Sequence, residues 1–322
     1  MSMIQGQDAV KKKLLTAIEK KRLPSSMLFL GPSGVGKQMM AWAVAQIFLC
    51  ENPSSSQEAC GQCGNCHRVA LHQNENILFV EPRGTAIQVE QSRQMIEFFS
   101  SRLWGKARFI IINEAHRFNV QAANALLKVL EEPPPESYFI LLAPTKAGVL
   151  PTIRSRTQVF PFGTLPKKTL QSLLQRTDWV IEAAHGRMDL AQTLLEKEEW
   201  RQVVFGALQE LLKTTSPRKA YAALEENIRD SEFALFAAQV LQLFFRDVFL
   251  RKRVPGCSVI HKDQESLLQA FVQTFSIEDI LTFFQQAINL EKAVHSHWDK
   301  GLFMDQWLHQ IEDLRTHQRE GV

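Results

Sequence analysis

The chain is 322 residues long, 45% hydrophobic and 22% charged, with a formal net charge of +3. That length excludes a single compact core and points to two or three domains, and the composition excludes an intrinsically disordered chain. A charge so close to neutral excludes a polycation built for nucleic acid overall, though a local basic surface remains open.

Val10, Leu14, Ala17 and Ile18 recur at helical spacing behind Gln7 and Asp8, which predicts an amphipathic helix ending before Pro24. Lys11, Lys12, Lys13, Lys20, Lys21 and Arg22 mostly fall on its outer face, where a solvated helix surface is the plainest account. No apolar h-region follows the three lysines and no uninterrupted apolar run approaches a membrane span. The expectation is a cytoplasmic protein with no membrane partner.

Met27-Leu28-Phe29-Leu30 predicts a short buried strand and residues 41–49 an apolar helix. Between them runs Gly31-Pro32-Ser33-Gly34-Val35-Gly36-Lys37-Gln38, a phosphate-loop pattern up to its last position. In such a loop the glycines let backbone N–H groups converge on phosphate oxygens, the helix N-terminus adds positive potential, and the lysine reaches the outer phosphates. The next residue should carry a hydroxyl for magnesium; Gln38 stands there, and its longer side chain overshoots that place. Gly31, Gly34, Gly36 and Lys37 are therefore candidate residues of a degenerate nucleotide loop, with a plain glycine turn as the competing account. The sequence leaves ATP or ADP binding undecided and gives no expectation of catalytic magnesium.

Cys50, Cys60, Cys63 and Cys66 follow as C-x9-C-x2-C-x2-C. Disulfides do not persist in a reducing compartment, and thiolates two residues apart grip one metal from a tight turn, with Gly61 and Gly64 supplying backbone freedom. Four thiolates with no ligand position left for water predict structural zinc; an iron–sulfur cluster and free thiols are the competing accounts. His67 reads as a neighbour of the site and Cys257 as an ordinary, partly buried cysteine.

Residues 76–81 predict a second strand, and Val89, Arg93, Ile96, Phe98 and Phe99 lie on the following helix. Arg108-Phe109-Ile110-Ile111-Ile112-Asn113 predicts a strand buried on both faces. It ends in Asn113-Glu114, where a P-loop ATPase carries an Asp for its magnesium, so a second metal contact is weakened independently of Gln38. Residues 138–143 and 159–162 complete the predicted strands, and Thr145 lies where a polar side chain can sense a γ-phosphate. Strands alternating with helices, and a glycine loop at the first junction, predict a doubly wound α/β domain with its site at the sheet's carboxyl edge. Beyond residue 163 the chain reads as helical: a small unit marked by Leu170, Trp179, Val180 and Leu194, then long amphipathic helices through residues 241–245 and 280–284. Trp298, Phe303 and Trp307 read as core or interface anchors, and no catalytic constellation falls there.

Two stretches, Gln121-Ala122-Ala123-Asn124-Ala125-Leu126-Leu127-Lys128-Val129-Leu130-Glu131-Glu132-Pro133-Pro134 and Leu150-Pro151-Thr152-Ile153-Arg154-Ser155-Arg156, resemble bacterial clamp-loader subunits of the AAA+ class. The cysteine module, the opening Ile4-Gln5-Gly6-Gln7 and the Leu28-Phe29-Leu30-Gly31-Pro32 lead-in resemble them too. The resemblance implies an AAA+ P-loop (RecA-like) domain over 1–163 with a zinc module at about 50–66, a three-helix lid over 164–202, and an all-α oligomerisation collar over 203–322.

Gln38, Asn113 and Met188-Asp189-Leu190, where the family's second-sensor arginine is expected, depart from the ATP-hydrolysing gamma/tau pattern; Arg187 stands out of register. The chain also stops after the collar, without the long tail of tau. These departures resemble the delta-prime class. Ser155-Arg156 is similar to the family's Ser-Arg-Cys signature, with Thr157 for Cys, which implies that Arg156 is an arginine finger given in trans to a neighbour's ATP site. Implied partners are gamma/tau and delta subunits in a hetero-pentameric ring, the sliding clamp indirectly, and primer–template DNA held by its phosphate backbone, with Arg93 a candidate contact. The alternative is an active gamma-like ATPase whose Gln38 and Asn113 still support magnesium. A block of the loop by another part of the chain is also open.

Overall fold

The structure is a computed structural model that describes residues 4–54, 58–101, 103, 105–213, 217–254, 256–296 and 299–320. Trp298, expected as an anchor, lies outside the described residues. The chain divides into two compact units, Met1–Gln175 with His185–Leu190, and Arg176–Ala184 with Ala191–Val322.

In the first unit the elements run α1 (Asp8–Glu19), β1 (Ser26–Leu30), α2 (Lys37–Leu49), α3 (Gly64–Ala70), β2 (Ile77–Val80), α4 (Val89–Ser100), β3 (Arg108–Ile112), α5 (Val120–Glu131), β4 (Ser137–Ala143), α6 (Pro151–Arg154), β5 (Gln158–Pro161) and α7 (Lys167–Leu174). All five expected strands form, within one residue of the expected bounds. They pair in parallel in the order β2-β3-β4-β1-β5, with Leu28 of β1 opposite Leu141 on one side and Val159 on the other.

Strand periodicity sorts the core. Met27 and Phe29 of β1 and Phe109 and Ile111 of β3 pack on one face with Leu14 of α1 and Met40 and Val44 of α2. Leu28, Ile110 and Ile112 pack on the other face with Met95 and Phe99 of α4 and Leu126 and Leu130 of α5. Both faces of the sheet are therefore covered, which is why β3 is apolar at consecutive positions instead of alternate ones. Asn119 caps α5 by accepting the Ala122 N–H, and Pro133 and Pro134 stand just past its end. At the entry to β3, Arg108 is buried but donates to Ser137 Oγ and to the Phe98 and Ser101 carbonyls.

The second unit is helical: α8 (Trp179–Ala183), the larger part of α9 (Met188–Glu196), α10 (Glu198–Lys213), α11 (Pro217–Ile228), α12 (Ser231–Arg253), α13 (Glu265–Thr274), α14 (Ile277–His295) and α15 (Lys300–Glu320). Asp178 and Asp230 cap α8 and α12, and Ser276 with Asp279 forms a capping box on α14. The core is aromatic: Phe245 meets Phe283 at 5.4 Å and Trp307 at 5.9 Å, and Phe244 meets Phe271 at 5.2 Å. Trp307 is thus a core residue and Phe303 is half-buried. By length and composition α12 is apolar enough to cross a membrane, yet 61% of its most apolar window is buried within the protein.

Candidate functional site

The carboxyl ends of β1, β3 and β4 carry the phosphate loop. Gly31 leaves β1 with its N–H donating to Ala143 O, and a Cβ there would fall 2.2 Å from Phe162 O, so only glycine fits. Gly34 and Gly36 take φ of +68° and +94°, and Gly36 is the N-cap of α2, whose first residue is Lys37. Gly31, Gly34, Gly36 and Lys37 thus come together as the sequence predicts, with the N-terminus of a 13-residue helix behind them.

Lys37 does not point outward from this loop. Its Nζ donates to Gly31 O at 2.6 Å and Pro32 O at 2.5 Å, folding the ammonium onto the loop's own carbonyls. Burial pulls its pKa down to about 8, partly opposed by the nearby Asp189 carboxylate. Gln38 is exposed on the next position.

Across the loop, Asn113 follows β3 and donates from Nδ2 to Glu81 Oε1 at 3.1 Å. Glu114 adopts left-handed backbone at φ 49° and pairs with Arg117 at 3.3 Å. Thr145 is exposed beyond β4. His116 is half-buried, burial lowers its pKa, and its Nδ1 is buried with no hydrogen-bond partner. Ser33, Lys37, Asn113, Glu114, His116 and the end of β4 line a cleft of about 150 Å³. Sites for drug-sized ligands begin at about 300 Å³, so this cleft by itself is smaller than such a site.

The chain also returns to this loop from far along the sequence. Met188 N–H donates to Gly34 O at 3.0 Å, bringing Asp189 so close that a Cβ on Gly34 would lie 2.0 Å from its Oδ1. Arg187 reaches the same carboxylate from Nη2 at 3.0 Å and Nε at 3.3 Å. Burial alone would raise the Asp189 pKa, but hydrogen bonds from Arg187, Ser33 and the Leu190 N–H outweigh it and hold the carboxyl below its usual range. The sequence marks Asp189 as standing where an arginine is expected; the approach to Gly34 is a contact across more than 150 positions that no local pattern records.

Arg156 sits elsewhere. It lies on the amino side of the sheet, in an open groove lined by Pro24, Ser25 and Ser26 before and at the start of β1, Gln158 at the start of β5, and Leu130 and Glu131 at the end of α5. Its Nη2 pairs with Glu131 Oε1 at 2.5 Å, and its Nη1 donates to Thr152 O at 3.0 Å and Ser155 Oγ at 3.2 Å. Ser155 is thus a direct neighbour of the guanidinium. Glu131 was legible only as part of a motif, with nothing in the sequence to pair it with Arg156. The loop at the strands' carboxyl ends and the arginine at their amino ends are separated by β1, about 13 Å along four residue steps of ~3.3 Å.

The cysteines converge as their spacing predicts. Cys50 caps the end of α2, Cys63 caps the start of α3 and Cys66 lies within α3, and the four Sγ atoms lie within 4.8 Å of one another. A tetrahedral Zn–S length of about 2.3 Å requires sulfurs about 3.8 Å apart. Cys60 Sγ and Cys66 Sγ are 3.9 Å apart, so the donor set fits a metal such as zinc. Backbone N–H groups of Cys60, Cys63 and Cys66 point at the Sγ of Cys50, Cys60 and Cys63 at 3.3–3.4 Å. The N–H groups of Gln62 and Cys63 bring the Cys60 pKa down to about 6, and the Glu51 backbone lowers that of Cys63, whereas burial raises that of Cys66. His67 is not among the clustered donors, and Cys257 is half-buried. Arg93 is exposed on α4, and of the α1 lysines Lys11 pairs with Asp8 while Lys13 lies over the Phe160 ring.

A parallel sheet in this strand order, with a glycine loop after its first strand and a helical region beyond it, defines a P-loop domain of the AAA+ class. The crystal structure of a DNA polymerase III gamma subunit-related protein from Thermotoga maritima matches the fold with a TM-score of 0.50 over 94% of this chain and 99% of that one, at 17% identity. A family model described as DNA polymerase III, delta subunit matches residues 6–166, and one described as DNA polymerase III, delta subunit, C terminal matches residues 197–313. The chain belongs to the DNA polymerase III delta subunit family. It is 35% identical over 177 residues to DNA polymerase III subunit delta' of Bacillus subtilis, covering 55% of this chain and 53% of that protein. To subunit gamma/tau of Mycobacterium tuberculosis it is 35% identical over 176 residues, covering 54% of this chain and 30% of that one. The matched stretch thus spans from under a third to about half of these curated relatives.

Proposed function

We propose that this chain is a delta-prime-type subunit of the DNA polymerase III clamp loader, does not turn over ATP itself, and supplies Arg156 in trans to the ATP site of a neighbouring subunit. The observation that carries this reading is the placement of Arg156. It lies at the amino ends of the strands, separated by the length of the sheet from its own phosphate loop, so its charge serves a different site or none. A planar guanidinium held at three points by Glu131, Thr152 and Ser155 is pre-oriented for a phosphoryl group brought to that groove by another protein.

Gln38 and Asn113 support the other half of the proposal. Neither provides the hydroxyl or the carboxylate that holds magnesium in a P-loop ATPase, and Asn113 is turned to Glu81. In this reading residues 1–163, 164–202 and 203–322 act as P-loop domain, lid and collar. The four cysteines hold structural zinc, the partners are gamma/tau and delta subunits in a five-membered ring, and primer–template DNA is met through its phosphates by exposed bases such as Arg93. The chain works in the cytoplasm.

Replacing Arg156 by Ala is the test. A trans arginine is worth on the order of 10³–10⁵ in rate at the site it completes. The reconstituted loader carrying Arg156→Ala should assemble normally and lose the DNA-stimulated ATP turnover of that one site. Unchanged turnover refutes the role. ATP turnover by the isolated chain that disappears in Lys37→Ala would overturn the ATPase-deficient half and favour the gamma-like alternative.

A further inference from the structure

Two cations stand at the phosphate loop, Lys37 and Arg187, and one anion, Asp189, stands beside both. Asp189 accepts both of its Arg187 hydrogen bonds within 3.3 Å, takes the Ser33 side chain as a further donor, and is close enough to Lys37 to favour its charged form. The segment is fixed by main chain as well, through Met188 N–H on Gly34 O at 3.0 Å. The fit depends on Gly34: with φ of +68° and no side chain it admits a carboxylate where a Cβ would collide at 2.0 Å. Ser33 and Lys37, which a bound polyphosphate would use, thus already face a negative charge belonging to the chain itself.

We propose that Asp189 is a built-in counter-anion of this loop, which competes with the phosphates of a nucleotide for Lys37, Arg187 and Ser33 and so keeps the loop closed to nucleotide. The backbone of a phosphate cradle is kept by Gly31, Gly34, Gly36 and the first turn of α2, with Lys37 folded back onto it. What shuts it is one carboxylate, and the class of ligand it excludes is a nucleoside diphosphate or triphosphate, or pyrophosphate. This inference concerns binding by the chain alone and is independent of Arg156; either can fail while the other stands.

The test is equilibrium binding of ADP and of pyrophosphate, without magnesium, to the full chain and to Asp189→Asn, Asp189→Glu and Asp189→Asn/Lys37→Ala. Removing one like charge beside the phosphates at an effective dielectric of about 20 should tighten binding on the order of tenfold or more. Asp189→Asn should therefore bind both ligands at least that much better than the parent. Asp189→Glu should stay as weak as the parent, and the added Lys37→Ala should cancel the gain. If Asp189→Asn melts, Asp189→Ser serves instead as a second neutral variant. A folded, neutral variant that binds no tighter than the parent, or an Asp189→Glu variant that binds as tightly as the neutral one, overturns the proposal.

Discussion

Asp247 lies on α12 with no exposed surface, and its replacement is the sharpest test of how the helical unit is held together. Its Oδ2 accepts the N–H groups of Ile260 and His261, both at 2.8 Å, and meets His261 Nδ1 at 3.1 Å, while Oδ1 accepts from Arg246 at 2.9 Å. One carboxylate thus ties the loop after α12 back onto the helix. Asp247→Ala removes the acceptor for two backbone donors in a place water does not reach. Charge-assisted hydrogen bonds contribute about 1.5–3 kcal/mol each, and two of them total about 3–6 kcal/mol before the relief of no longer burying a charge. A net loss of about 4 kcal/mol follows, or roughly a thousandfold in the opening equilibrium. Asp247→Asn keeps one oxygen for the backbone pair and should lose about half of that. Hydrogen exchange resolved at the Ile260 and His261 amides reads the effect directly, with urea unfolding followed by circular dichroism as the global check. Exchange at both amides within tenfold of the parent in Asp247→Ala would refute the reasoning and leave the carboxylate as a passenger in the core.

Two further outcomes are expected. The purified chain should carry about one zinc ion; Cys63→Ser should lower that content and the unfolding temperature of the first unit together, whereas full stability after complete chelation would show that the cysteines pack without metal. Lys37 gives a pH dependence whose sign is fixed by its depressed pKa. The folded chain releases this proton near pH 8 and the unfolded chain holds it to about 10.5, so stability should rise between those values. The amine is partly exposed and water screens it, so the rise should be about 1 kcal/mol. It should be missing from Lys37→Met in matched urea titrations, and parallel curves for the two proteins would count against the lysine's folded-back position.

The sheet and the cysteine site were legible because their signals are local. Consecutive apolar residues such as those of β3 read as a strand covered on both sides, and two C-x2-C steps read as a metal grip, without knowledge of anything distant. What the sequence hid depends on pairs far apart along the chain. Arg201 is almost wholly buried, held by two 2.8 Å hydrogen bonds to Asp263 and stacked 4.1 Å over Trp179, yet on its own helix it reads as one more surface arginine. Asp247 and His261 are equally inconspicuous until a loop folds them together. Glu131 was seen in its motif and Asp189 as an odd residue in an arginine's place, but their work against Arg156 and Gly34 exists only in three dimensions.

The distribution of departures along the sheet carries the last step. Gln38, Asn113 and Asp189 all fall at the carboxyl ends of the strands, where the chain's own nucleotide chemistry would take place. At the amino ends Thr157 stands for the signature's Cys, while the Arg156 guanidinium is met by a carboxylate, a carbonyl and a hydroxyl. Under the proposal that the domain presents Arg156 to a partner and runs no cycle of its own, departures that touch the metal and phosphate contacts but leave the guanidinium in place are the expected pattern. Because β1 is the strand that joins the two edges, this view requires the core around Phe29 and Leu28 to stay fully packed, and both residues are wholly buried. Under the same proposal the packed sheet also serves to hold the Arg156 edge in place.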